Sequence, residues 1–171
     1  MPADGSEHKL AVILHADVVG STALVQRDER IAHDRIQDAF RRFSETIESY
    51  GGIAHEIRGD ALLAEFNRAS DAVSAALAFQ TANNEHNTTL DDEIRPEIRV
   101  GISLGEVVIA DGTLTGPDVV LAQRLEQLAE RGGVCISWRC STRFPDDYPS
   151  NTPIWMIRKS KGSTNPCVLF R

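Results

Sequence analysis

Residues 10–16, LAVILHA, form an almost wholly apolar run that stops at an acid, Asp17, and is followed by VVGST. Seven residues are too few for a buried helix, so the run reads as a central strand covered on both faces. A strand of that kind needs layers packed against it, which requires a domain rather than a peptide. The 171 residues suffice for one such domain with a real core.

The elements that follow alternate in period. Ile36, Phe40, Phe43 and Ile47 repeat at helical spacing, and YGG after them is a helix stop. IAHEIR and ALLAEF, separated only by Gly59 and Asp60, predict a hairpin. A second helix is expected over about residues 70–84, and then a long polar loop, NNEHNTTLDDEIRP. EIRVGISLGEVVIA predicts two strands about a turn at Gly105. Pro117 opens a further helix carrying Leu121, Leu125 and Leu128, which a double glycine ends. VCIS, IWMIRK and NPCVLF predict closing strands. This order implies an α+β fold, a mainly antiparallel sheet with helices packed on one face.

Charge and cysteine usage narrow the function. A net charge of −7, with both signs scattered, argues against nucleic acid or an anionic membrane as the main partner. No stretch approaches the roughly 20 apolar residues of a membrane span, and the first residues carry no leader-like apolar segment. Cys135, Cys140 and Cys167 lack zinc or disulfide spacing and read as reduced core thiols of a cytoplasmic protein. The expectation is one domain, residues 1–171, and the stop directly after CVLF leaves room for further domains in a longer protein.

Two acids stand where chemistry is possible. Asp17 sits at a strand-to-helix handover, where Gly20, Ser21 and Thr22 could wrap phosphate; a turn or capping role explains Asp17 equally well. Asp60 occupies a hairpin turn, where an acid after glycine is ordinary turn chemistry. If the hairpin lies beside the first strand, the two carboxylates meet at one sheet edge and offer hard oxygen ligands for Mg²⁺.

Taken together, ADVVGSTALV, GGIAHEIRGDALLAEF, RVGISLGEVV, TGPDVVLAQRLEQLAERGGVCIS and RKSKGSTNPCVLF resemble the class III adenylyl and guanylyl cyclase catalytic domain, in order from about Lys9 to Arg171. The resemblance implies a ferredoxin-like core and a head-to-tail homodimer with shared active sites. It implies two Mg²⁺ or Mn²⁺ ions on Asp17, Asp60 and the Val18 carbonyl, and conversion of ATP or GTP to a 3′,5′-cyclic nucleotide plus pyrophosphate in intracellular signalling.

The same resemblance assigns Arg124 to the transition state and places Val120 where the family carries an Asn. Valine cannot hydrogen-bond ribose, so the alternative is a slow or silent cyclase homology domain that binds nucleotide or dimerises to regulate a partner. Glu56 and Thr113 fall at the base-reading positions; Glu56 leans toward GTP, Thr113 toward neither, and pairing with Arg58 is an equally good account of Glu56. Lys161, with Lys159 as a substitute, matches the triphosphate lysine. Arg124 and the two lysines also read as ordinary solvated residues.

Overall fold

The computed structural model describes residues 7–111, 113–137, 140, 154–158 and 167–170, with main chain alone for 56–58, 154–158 and 167–170. The apolar run lies inside β1 (Glu7–Val18). After it come α1 (Ser21–Arg27), α2 (Glu29–Ser49), β2 (Ile53–Arg58), β3 (Ala61–Phe66) and α3 (Ala69–Thr88). The second half holds β4 (Ile98–Ala110), β5 (Thr113–Thr115), α4 (Pro117–Leu128), β6 (Val134–Ser137), β7 (Ile154–Arg158) and β8 (Cys167–Phe170).

The strands form one sheet in the order β2-β3-β1-β4-β6-β8-β7, with β5 paired to β4. Every pairing is antiparallel except β4 with β6. The β2-β3-β1-β4 part, with α2 and α3 in its crossovers, is a ferredoxin-like core. β1 is central, flanked by β3 and β4, which is why its run had to be apolar on both faces.

Alternation along β1 separates two cores. Val12, Leu14, Ala16 and Val18 pack with Ile36, Phe40, Phe43 and Ile47 of α2 and Val73, Ala76 and Phe79 of α3. Phe43 and Phe79 stack with ring centroids 4.0 Å apart and close the α2–α3 contact. Ala11 and Ile13 face the other way, with Leu63, Val107 and Ala122 of α4. The expectation of helices on one face is therefore corrected for α4, which covers the opposite face over β4, β6 and part of β1.

Glycines in β4 explain this placement. A Cβ at Gly101 would lie 2.1 Å from the Ala122 carbonyl oxygen, and one at Gly105 would lie 1.8 Å from the Asp118 carboxylate. These glycines let α4 rest directly on the strand's backbone. Gly105 makes no turn, and residues 98–110 form a single strand rather than the two expected.

Two more boundaries differ from the sequence reading. α3 continues to Thr88 through part of the expected loop, because Asn83 and Asn87 are buried and each donates from Nδ2 to the Pro96 carbonyl at 2.9 Å. The first helical region begins earlier than Ile36, as α1 and then α2, whose start Asp28 caps by accepting from the Ile31 N–H at 2.9 Å. Cys135 and Cys140 are buried, as expected of core thiols.

Candidate active site

Two turns meet at one edge of the sheet. Asp17 is opposite Ala61 on β3 and Arg99 on β4, so the last residues of β1 lie directly beside the β2–β3 hairpin turn. Gly59 at φ 60° makes that turn, and the Val18 N–H donates to the Asp60 carbonyl at 3.0 Å. β1 then leaves the sheet through Gly20, at φ 62°, into α1, and Ser21 Oγ donates to Asp60 Oδ2 at 2.6 Å. The convergence expected of Asp17 and Asp60 is present: Asp60's charge acts on Asp17. Ser21 joins them as a partner of Asp60.

The electrostatics are those of like charges held together. Burial, and then the Asp60 charge, raise the Asp17 carboxyl above its ordinary range, against the opposing Val18 N–H and Arg99. Arg99 Nη2 lies 3.9 Å from Asp17 Oδ2, and Arg99 Nε lies 2.9 Å from Glu126 Oε1 on α4. The Glu126 side chain is only 2% exposed. Burial pushes its carboxyl up to about 7; Arg99 opposes this, and the Asp17 and Asp60 charges add to it. Glu126, Arg99, Asp17 and Asp60 thus form a line of alternating and then repeated charge from the inside of α4 to the sheet edge. His15, two residues before Asp17 in β1, has a buried Nδ1 with no hydrogen-bond partner among the described residues, and burial lowers its pKa.

The other described residues expected at a site sit on α4, β5 and β2 and beside Ser21. Val120 and Arg124 are one turn apart on the exposed side of α4, Val120 being 47% exposed. Arg124 has no hydrogen bond or ion pair among the described residues, Asp17 and Asp60 included. Thr113 is exposed at the start of β5, opposite Ala110. Glu56 is described by its main chain alone, opposite Leu63 beyond a register shift in β2. Gly20 and Thr22 are exposed beside Ser21. Lys159 and Lys161 lie outside the described residues.

Sequence reading missed Arg99, Glu126 and the Ser21–Asp60 bond. A signal for Glu126 exists: it falls four residues after Ala122 and three before Ala129, inside the buried stripe of α4. Arg99 is the one basic residue of β4, but only its register opposite Asp17 shows what it faces.

The fold is that of a ferredoxin-like α+β catalytic domain, and comparison with known proteins agrees. Residues 4–145 match the family described as the adenylate and guanylate cyclase catalytic domain. The chain is 38% identical over 142 residues to "Putative adenylate cyclase 3" of Rhizobium meliloti, covering 80% of this chain and 24% of that protein. It is 33% identical over 122 residues to an adenylate cyclase of Streptomyces coelicolor, covering 71% of this chain and 30% of that protein. The crystal structure of an adenylate/guanylate cyclase/hydrolase from Silicibacter pomeroyi matches with a TM-score of 0.79 at 30% identity, covering 96% of each chain. The chain belongs to the adenylate and guanylate cyclase catalytic-domain family. It spans less than a third of the length of the two curated relatives named here.

Proposed function

We propose that this domain is a nucleotide cyclase for intracellular signalling, working in the cytoplasm as a head-to-tail homodimer and using two Mg²⁺ or Mn²⁺ ions per site. The observation that carries the reading is the meeting of Asp17 and Asp60 at one edge of the sheet, each on a turn fixed by backbone bonds.

The donor set fits such ions. Two carboxylates whose charges oppose each other are relieved by a hard cation, and their oxygens are the ligands Mg²⁺ prefers. Among the described residues no third His, Cys, Asp or Glu completes a protein cage. That suits Mg²⁺, which keeps positions for water and substrate phosphates. Asp17, Asp60 and the Val18 carbonyl would hold the ions. When bound they neutralise triphosphate charge and make the ribose 3′-hydroxyl a better nucleophile.

The chain's own residues then position the nucleotide. Ser21 holds Asp60 in place, while Gly20, Thr22 and Lys161 are proposed to meet phosphate. The new bond joins the 3′-oxygen to the α-phosphorus as the bond to pyrophosphate breaks, and the hydroxyl proton passes to solvent. Arg124 of a second copy would face the transferring phosphate, which accords with its exposed position and with its having no ion pair to Asp17 or Asp60 of its own chain. Glu56 and Thr113 are assigned to the base. Guanine offers N1–H and N2–H₂ to a carboxylate, so GTP is the favoured substrate over ATP.

Val120 favours a second reading. An exposed valine stands one turn before Arg124, where the resemblance expects an Asn, and this is compatible with a weak or silent domain that binds nucleotide or dimerises to regulate a partner. One assay separates the two: purified protein with Mn²⁺ and ATP or GTP, cyclic product being measured by chromatography. Product that disappears in Asp17→Ala and Asp60→Ala supports the cyclase. No product with either nucleotide supports the second reading.

A further inference from the structure

Glu126 is a buried acid on α4 that neither the sequence motifs nor the proposed chemistry uses. Burying a carboxylate costs several kcal/mol unless it is paired, and among the described residues its one cationic partner is Arg99, at 2.9 Å. The Arg99 Nε–H is not aligned on the oxygen, so the attraction is chiefly ionic. A poorly aligned buried pair is weak support for a fold and needs another reason.

The geometry points to such a reason: Glu126 is a positioning residue that holds Arg99 back from Asp17, keeping the Asp17 carboxylate open to a divalent cation. Arg99 lies between two acids, near Glu126 at 2.9 Å and farther from Asp17 at 3.9 Å. An Arg and a carboxylate within reach close readily into a two-bond pair. Such a pair would occupy the Asp17 carboxylate oxygens and compete with a cation. Ser103 Oγ donates to the Asp118 carbonyl, and the backbone contact at Gly101 seats α4 firmly, so Glu126 is a fixed anchor. Arg124, two residues earlier in α4, is exposed, so the helix that would serve one site on its outer side would tune another on its inner side.

This inference rests on the proposal that Asp17 and Asp60 bind metal, and the test separates the two. Mn²⁺ alone is titrated into the full chain at about pH 8 and followed by electron paramagnetic resonance, with thermal unfolding checked on every variant. Parent binding that is lost in Asp17→Ala establishes the carboxylate site; parent protein without such binding overturns both proposals. Glu126→Gln is expected to weaken Mn²⁺ binding about tenfold while remaining folded, because Arg99 turns to Asp17. Glu126→Asp keeps the charge but shortens the reach, and it should weaken binding as well. Adding Arg99→Gln to Glu126→Gln removes the competitor and should return binding to within about threefold of the parent. Unchanged binding in Glu126→Gln, parent-like binding in Glu126→Asp, or no recovery in the double variant would each overturn the restraint and leave the metal assignment standing.

Discussion

Ser21 Oγ donates to Asp60 Oδ2 at 2.6 Å, tying the first turn of α1 to the β2–β3 hairpin across 39 residues of chain. Hydrogen bonds to a charged group are stronger than neutral ones and fix its direction. With its one proton committed to Asp60, the Ser21 hydroxyl is better placed to steer that carboxylate than to bind phosphate. Ser21→Ala should therefore raise the Mn²⁺ concentration needed for half-maximal activity and leave the nucleotide KM at saturating metal within about twofold. A change in KM alone would put Ser21 on the phosphate.

Gly101 gives a prediction about the frame. A Cβ there would meet the Ala122 carbonyl at 2.1 Å and the Glu126 N–H nitrogen at 2.3 Å, both backbone atoms that cannot rotate away. Gly101→Ala should lower stability by about 1–3 kcal/mol and push α4 off the sheet. The shift would move Glu126 and Arg124 together, so activity should fall by more than the loss of folded protein accounts for. Urea unfolding and a rate per folded molecule measure the two effects separately.

What the sequence made legible follows from local rules. β1 was readable because burial on both faces leaves His15 as the one polar residue in the run, and Asp60 because glycine and acid at a hairpin turn have few other uses. α1 was not readable, since none of its residues is buried and no apolar period marks it. The end of α3 was misread because Asn83 and Asn87 count as loop formers until the one Pro96 carbonyl accepts from both. Gly105 suggested a turn, where the real requirement is room for Asp118, 13 residues later. Arg99 and Glu126 could not be joined to Asp17 without register, because their proximity is set by β1–β4 pairing and the seat of α4.

Glu126 should also mark the pH dependence of stability. Its folded carboxyl titrates at about 7 against an ordinary 4.5, with Arg99 of β4, Asp17 of β1 and Asp60 of the hairpin as its charged neighbours. Between these values the folded chain keeps a proton that the unfolded chain has released, so stability falls as pH rises through that window and levels off above it. Glu126→Gln removes this titration. In metal-free urea unfolding the parent should lose on the order of 2 kcal/mol more than Glu126→Gln between about pH 5 and pH 8. Equal losses would show that Glu126 titrates normally.

A shared site predicts complementation. Asp17 and Arg124 do not pair within one chain, so each is free to serve a different half of a dimer. Asp17→Ala and Arg124→Ala should each be inactive alone, and mixing them should restore part of the rate, since a heterodimer holds one site with both residues intact. Dimers that exchange chains without recovering activity would exclude a site built from two copies.

Val120 decides between a slow enzyme and a silent one. It lies one turn before Arg124 on the exposed side of α4, and a short β-branched residue is close to Asn in size. The helix seat depends on Gly101 and Gly105 beneath Ala122 and Asp118, not on Val120, so Arg124 keeps its position whichever residue stands there. Losing one well-placed hydrogen bond to the transition state costs on the order of 10²–10³ in rate, which predicts slow turnover. Val120→Asn should raise kcat toward that margin with little change in nucleotide affinity, because the recovered contact belongs mainly to the transition state. A measurable parent rate unchanged by Val120→Asn would mean that another residue already orients the ribose. No cyclic product from either protein, with both nucleotides and Mn²⁺ present, would make the domain a nucleotide-binding or dimerising module.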